Sequence, residues 1–488
     1  MKLEQLLKGI HSEGIEDCFK SLDIQSLSCD SRTVEAGSFF VALKGQTSNG
    51  EDFIADAINN GASIVATENK EFKRDSYDNV CFLIVDDIAK FLRDIVERFY
   101  VSKHSDVNVV GITGTNGKTT ITYLIESVLK AAGLSCGVVG TINARAGGDA
   151  FYFGNTTPSF IDNHKFLSEL QSRKIKYCVM EASSHGLDQG RVDLINFKQA
   201  IFTNLTGDHL DYHNSMENYF LAKSKLFTSL PENSTAIINI DDSYAGKLIE
   251  IVQSKTLTYG IENDADIKAE NIELNMSHTK FKLIAHGIET EIETNLIGNH
   301  NVYNVLAAIS FGLSEGININ DIKTGIENLK VIPGRLEVIN CRQEYSVIID
   351  YAHTRDALLN ILKAIKEISE SKVILVFGCG GDRDKTKRSQ MAEVACRLAD
   401  FSIVTSDNSR SEDSESIIDD IIVGFKKDNY EVIVDRKEAI HKALEKADKD
   451  SIVVLAGKGH ETYQILKDGK KDFDERKIVG EYFDVNSS

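Results

Sequence analysis

Short apolar runs and polar turns alternate along the whole chain, and the runs fall into three blocks. In residues 1–87, the stretches 62–66 and 81–85 read as strands, and a helix begins in 53–58. Ile88, Phe91, Leu92, Ile95, Val96, Phe99 and Tyr100 then lie on one helical stripe, read as the entrance to a second block ending near Pro333. Within it, residues 107–112 form a buried strand broken only by Asn108. Ile121, Leu124, Ile125, Val128 and Leu129 follow at helical spacing as far as Gly133, a C-cap signal. Residues 176–180, 200–205 and 235–240 give further strands, and 255–296 reads as β hairpins, with alternation at 280–284. The third block has strands at 347–349, 373–377, 401–405 and 452–455. The pattern predicts an α/β protein of three domains, 1–87, 88–333 and 334–488.

The strand ends carry the chemistry, as expected of open α/β sheets. The strand 107–112 runs into Thr113-Gly114-Thr115-Asn116-Gly117-Lys118-Thr119-Thr120. Loop amides and a helix N-terminus would face an anion there, Lys118 adds a point charge, and the Thr119 hydroxyl suits a magnesium ion. The strict phosphate-loop pattern would place its first glycine at Ile112, which Gly111 and Gly114 flank instead. An ordinary Gly-rich turn is the plainer alternative, but Gly-Lys-Thr between a strand and an amphipathic helix favours a nucleoside triphosphate. The central block is therefore read as a P-loop ATPase-like parallel sheet. Its next strands end in Glu181-Ala182-Ser183-Ser184-His185 and in Asn204 to His209. Glu181 and His209 are candidate magnesium-shell residues beside Thr119. His209 and His213 have zinc-like spacing but lack the HExxH glutamate, so zinc is rejected. Lys223, on a helix capped by Asn214 or Ser215, reads from composition alone as a solvated surface lysine. In the third block, read as Rossmann-like, the strands end at Asp350-Tyr351-Ala352-His353, at 378–384, at Asp407-Asn408-Ser409-Arg410 and at 457–461. The glycines at 378–381 fail the dinucleotide pattern because Arg383 takes its sixth position. They read as a turn presenting Arg383, and such strand-end arginines suit a carboxylate-rich ligand.

Composition narrows the partners. The 488 residues carry a net charge of −19, from 55 basic and 74 acidic side chains, which argues against broad nucleic-acid or membrane binding. No apolar run is long enough to span a bilayer. The eight cysteines form no CxxC pair and read as reduced thiols of a cytoplasmic protein.

Taken together, these motifs resemble the Mur ligase family of ATP-dependent amide-forming enzymes, over nearly the whole chain. The shared features are Gly114 to Thr120, Glu181 with Ser183-Ser184, Asn204 to His209, Ala222-Lys223, Gly298-Asn299-His300-Asn301 with Asn304, Gly334-Arg335, and Asp350 with His353. Asp30-Ser31-Arg32, Asn155-Thr156-Thr157-Pro158, Gly380 to Lys385, Asp407 to Arg410 and Gly457 to Glu461 resemble its tripeptide-forming branch. The resemblance implies ligation of meso-diaminopimelate to UDP-N-acetylmuramoyl-L-Ala-D-Glu through an acyl phosphate, by a cytoplasmic monomer. It implies that Gly114 to Thr120, Asn301, Arg335 and Asp350 hold ATP. Cys29, Ser31, Gln46, Thr47 and Ser48 would hold the UDP end, and Asn155, Thr156, Thr157, Ser183, Gln189 and Arg191 the muramoyl-dipeptide. Arg383, Asp407, Asn408, Ser409, Arg410, Gly457 and Glu461 would hold diaminopimelate. Lys223 matches the family's carbamylated lysine (N6-carboxylysine), which overturns the surface reading. With Thr119, Glu181 and His209 it would surround two magnesium ions, and Lys118, Lys223, Glu181 and His209 would be the catalytic set. Two departures stand out: Ser409 where diaminopimelate-adding members carry proline, and Arg355 after Thr354 where the family has Thr-Pro. The same step with L-lysine, another Mur or folylpolyglutamate-type ligase, and a P-loop switch protein are the alternatives.

Overall fold

The computed structural model describes residues 1–10, 19–45, 48–72, 77, 79–275, 277–341 and 343–486. Among them, three main sheets follow one another along the chain. The first has four parallel strands in sequence order, Ser26–Ser28, Ser38–Val41, Ala62–Thr67 and Cys81–Ile84. The helix Ile88–Phe99 packs its whole apolar stripe onto this sheet, in one core with Leu3, Leu6, Phe39 and Leu83. That differs from its reading as the entrance to the second block. Periodicity shows that a helix buries a face, and only packing shows against what.

The second sheet has a parallel middle flanked by antiparallel strands. The strands Lys255–Gly260, Thr235–Asn239, Phe197–Phe202, Asn108–Thr113, Tyr177–Glu181 and Cys136–Val139 lie side by side and parallel. Beyond the first edge lie Ile267–Leu274, Thr279–Ala285 and Ile288–Thr294, paired antiparallel. Beyond the other lie Ala144–Ala146 and Asp149–Phe151. The expected parallel sheet is thus present, Ile267–Leu274 also pairing parallel with Lys255–Gly260, and the expected hairpins follow it at the edge. Lys255–Gly260 is a parallel strand and not a hairpin arm. Burial explains the division: Tyr177–Glu181 is buried at every position, as in a sheet covered on both faces, whereas Thr279–Ala285 alternates. The helix after the phosphate loop, Lys118–Ala131, shares its core with the helices Asn299–Ser314 and Ile319–Asn328.

The third sheet runs Glu337–Ile339, Ser346–Asp350, Ser451–Ala456, Lys372–Phe377, Phe401–Val404, Tyr430–Val432 and is parallel except for its first edge strand. Helices Arg355–Ile368 and Thr386–Leu398 cover one face. Helices Arg436–Lys446 and Glu475–Asn486 cover the other. Arg355 takes the first helical position after its cap Thr354, where a proline's missing N–H would cost nothing. A two-stranded ribbon, Tyr463–Leu466 with Gly469–Asp472, has no counterpart in the sequence reading.

The link between the second and third sheets is held by short polar contacts. Gly334 N–H donates to Glu337 at 2.7 Å, and Leu336, in the left-handed region at φ 42°, donates to Asp350 Oδ2 at 2.7 Å. Gly334 itself has φ 67° and lies so close to Gly459 and His460 that a β-carbon would collide with their backbone. Among the described residues, no helix is long and apolar enough to cross a membrane.

Candidate active site

The carboxyl ends of the second and third sheets face each other across a cleft of about 550 Å³. The phosphate loop forms one wall. Its backbone is pinned by the neighbouring strand end: Thr115 N–H donates to the Asn204 carbonyl (2.8 Å) and Asn116 N–H to Asn204 Oδ1 (2.9 Å). Gly114 and Gly117 have φ 143° and 89°, and Gly117 caps the helix with no side chain in the way. Lys118 Nζ donates to the carbonyls of Gly114 (2.8 Å) and Thr115 (2.7 Å). Thr115 to Thr120 line the cleft. Asn301 and Asp350 do not line it. Asn301 Oδ1 accepts from Asn304 (2.9 Å), whose own side chain lies under Gly117. Asp350 binds the backbone of Leu336 and Ala352, and burial raises its carboxyl above the usual range. In this structure Asn301 thus lies behind the loop, through Asn304, and Asp350 at the link. Arg335 reaches across the cleft from the third unit and donates to Thr119 Oγ1 at 3.2 Å. Its buried Nε has no partner.

Glu181, 1% exposed, gathers three donors: Thr119 Oγ1 (2.9 Å), Thr141 N–H (2.9 Å) and Thr141 Oγ1 (3.0 Å). Thr141, which the sequence reading did not single out, sits just past Cys136–Val139, a strand too short and Gly-containing to stand out. Lys223 is 2% exposed, which settles its burial. Ser215 caps its helix. Its Nζ donates to the Gly114 carbonyl at 2.8 Å and lies 4.5 Å over the Tyr219 ring. Burial and the nearby Lys118 push its ammonium well below the usual lysine range. His209 sits at φ 55° with its ring edge-on to His185, 4.8 Å between centroids. Burial drives its imidazole to the neutral form. Among the described residues, no three His, Cys, Asp or Glu side chains converge as a ready-made metal cage. Two oxygen donors, Thr119 and Glu181, with a neutral imidazole and a lysine of lowered basicity nearby, fit magnesium, which keeps few protein ligands and takes phosphate oxygens.

On the peptide side, Asn155, Thr156, Ser183 and Arg191 line the cleft. Thr157 is buried behind them, 2.8 Å from the Glu181 carbonyl and 2.9 Å from Ser183 Oγ. Arg191 Nη1 donates to the Thr157 carbonyl (3.0 Å), and its Nε to Gln189 (3.0 Å), so Gln189 reaches the cleft through Arg191. Cys29, Ser31 and Ser48 lie on the first unit and do not line this cleft. Ser31 is tied to Asn60 (2.9 Å), and burial raises the Cys29 thiol to about 12. Gln46 and Thr47 fall outside the described residues.

On the opposite wall, Arg383, Asp407, Asn408, Arg410, Gly457 and Glu461 line the cleft. Ser409 is buried and does not. Asp407 Oδ2 is buried and accepts no hydrogen bond, its nearest cation being Arg436 Nη1 at 3.9 Å. Burial raises this carboxyl, but Lys458 and Arg436 outweigh it and hold it below the usual range. Arg436, itself 1% exposed, pairs with Glu475 (2.9 Å) and donates to the Ala456 carbonyl (2.8 Å). The adjoining Arg476 pairs with Glu337 and donates to the Gly459 carbonyl (3.1 Å). Arg410 binds the carbonyls of Gly381 (2.7 Å) and Asn408 (3.3 Å) through Nη1. Asp208, His353 and Lys387 also line the cleft, the first two after strand ends and Lys387 in the first turn of the helix Thr386–Leu398.

Comparison with known proteins agrees along the length of the chain. Three family models match: "Mur ligase family, catalytic domain" over residues 23–100, "Mur ligase middle domain" over 112–312 and "Mur ligase, glutamate ligase domain" over 334–459. The chain is 42% identical, over 99% of both sequences, to UDP-N-acetylmuramoyl-L-alanyl-D-glutamate–2,6-diaminopimelate ligase 1 of Clostridium acetobutylicum. It is 41% identical, over 98% of both, to the enzyme of that activity from Bacillus velezensis. A solved structure of such a ligase, 32% identical, superposes over 100% of both chains with a TM-score of 0.67.

Proposed function

Because the chain belongs to the Mur ligase family, we propose that it is an ATP-dependent ligase joining meso-diaminopimelate to UDP-N-acetylmuramoyl-L-Ala-D-Glu, a step of peptidoglycan precursor synthesis in the cytoplasm. The observation that carries the reading is the two-walled cleft. One wall is a phosphate loop, and the other is a mixed acidic and basic set, Asp407, Glu461, Arg383 and Arg410. A doubly zwitterionic amino acid needs both signs.

A carboxylate is a poor acylating agent, so the γ-phosphoryl of ATP is first transferred to the D-glutamyl side-chain carboxylate, giving ADP and an acyl phosphate. Lys118, the loop amides and Arg335 face the phosphates and offset charge as it shifts. Asn155, Thr156, Ser183 and Arg191 hold the peptide end. Asp407 and Glu461 hold an ammonium, while Arg383 and Arg410 take carboxylates. The free amine then attacks the acyl carbon, and the tetrahedral adduct collapses to amide and inorganic phosphate. Thr119, Glu181, His209 and carbamylated Lys223 would hold magnesium, two ions in this reading, which supplies charge neutralisation for the phosphoryl oxygens.

The test is phosphate release with UDP-N-acetylmuramoyl-L-Ala-D-Glu, ATP and magnesium, with diaminopimelate or lysine added. Release that requires diaminopimelate is expected. Turnover with lysine alone would overturn the specificity, and turnover without any amino acid would point to a switch ATPase.

A further inference from the structure

Lys458 is fully buried and does not line the cleft, yet it sits directly beneath the wall facing the phosphate loop. Its Nζ donates to Asn408 Oδ1 at 2.8 Å and to Glu461 Oε2 at 2.5 Å. Asn408 Nδ2 donates to that same Glu461 oxygen at 3.0 Å, so the three side chains close a ring. Asn408 Oδ1 also accepts from Ile465 N–H at 2.9 Å, on the ribbon that covers this strand end. An amide oxygen has two lone pairs, and both are thereby used. What remains for a ligand is one Asn408 N–H and Glu461 Oε1, whose contact with the Tyr351 hydroxyl is long at 3.4 Å. Beside them stands Asp407 Oδ2, which accepts no hydrogen bond and has only the distant Arg436 Nη1, at 3.9 Å, as a counter-charge.

We propose that Lys458 is a positioning residue that sets amino-acid specificity, a reading that rests on the ligase function above. Lys458 turns Asn408 and Glu461 so that one donor and one acceptor face the incoming amino acid. Its charge also offsets one of the two carboxylates there. Without it, Glu461 and Asp407 together would favour an amino acid ending in a bare ammonium over one ending in a zwitterion. Asn408 then acts as part of the ring and not only as a direct contact.

The experiment is steady-state kinetics of full-length Lys458→Met with each substrate varied in turn. The KM for diaminopimelate is expected to rise by roughly tenfold or more, with KM for ATP and for the UDP-dipeptide within about twofold of wild type. The ratio of kcat/KM for diaminopimelate to that for lysine is expected to fall by about fivefold or more. An unchanged KM for diaminopimelate, or an equal rise in all three constants, would overturn the proposal. If Lys458→Met does not accumulate folded, Lys458→Gln, which keeps a neutral donor, is measured against the same criteria. A wild-type chain that releases no phosphate with diaminopimelate would instead remove the function on which the proposal stands.

Discussion

The side-chain nitrogens of Lys118 and Lys223 both point at the carbonyl oxygen of Gly114, each at 2.8 Å. Two ammonium groups on one acceptor is unfavourable, and Lys223, the buried one of the two, is pushed well below its usual range by burial and by Lys118. An amine of lowered basicity is the form that would capture carbon dioxide, and a carbamate there would be an anionic oxygen donor in place of a cation. Lys223→Ala is therefore expected to lower kcat by roughly a thousandfold or more, with short carboxylic acids restoring part of it. An unimpaired variant would end the carbamate role. The position was partly legible in the chain itself. Tyr219, Lys223, Leu226 and Phe227 fall on one helical stripe, and all are buried. A lysine on such a stripe is a contradiction in the pattern, and composition alone averages that contradiction away.

Short links between elements carry their own chemistry. His104, after the turn Val101–Lys103, and His164, on the helix Phe160–Ser172, share one hydrogen bond, Nε2 to Nδ1 at 2.8 Å. His164 Nε2 in turn lies 2.9 Å from the Asp193 carbonyl, and Asp193 pairs with Arg93 on the helix Ile88–Phe99. Burial holds both imidazoles neutral and lowers His164 to about 4. The unfolded chain binds a proton at His164 from about pH 6.5 downward, and the folded chain does not until near pH 4. Stability therefore falls as pH drops through that window, by roughly 2–3 kcal/mol from His164 and further in the same direction from His104. Denaturant titrations at pH 7 and pH 4.5 should show the loss, and His164→Gln should reduce it. An identical pH dependence in the variant would rule the pair out as its source. At this scale the sequence was legible where strands are long and apolar, as in Lys372–Phe377 and Ser451–Ala456. It was opaque at Cys136–Val139 and in the ribbon Gly469–Asp472, whose residues are all exposed, because neither has an apolar run to betray it. Thr141 and the cover over Asn408 were missed with them.

The whole molecule works by bringing two sheet edges together, and Arg335 spans the gap. It leaves the link at Gly334, lies 4.8 Å over the Tyr351 ring, and reaches Thr119 in the phosphate loop. Arg335→Ala is expected to raise KM for ATP and lower kcat by roughly a hundredfold, with KM for diaminopimelate near wild type. A change confined to the diaminopimelate constant would contradict that placement. The three-unit plan was legible from the blocks of strands. Which strand ends would face each other was not, since that depends on how the units meet and no local pattern encodes it. The helix Glu475–Asn486 shows the same dependence in time as well as space. Its first two residues supply the counter-ion of Arg436, beneath Asp407, and a tie between Glu337 and the Gly459 carbonyl. During synthesis the phosphate loop leaves the ribosome hundreds of residues before these two do. A chain released short of residue 475 would keep the phosphate loop and Arg335 while the buried Arg436, under the opposite wall of the cleft, lost its closest carboxylate, Glu475. Translation through that helix is thus expected to complete the cleft wall that faces the phosphate loop.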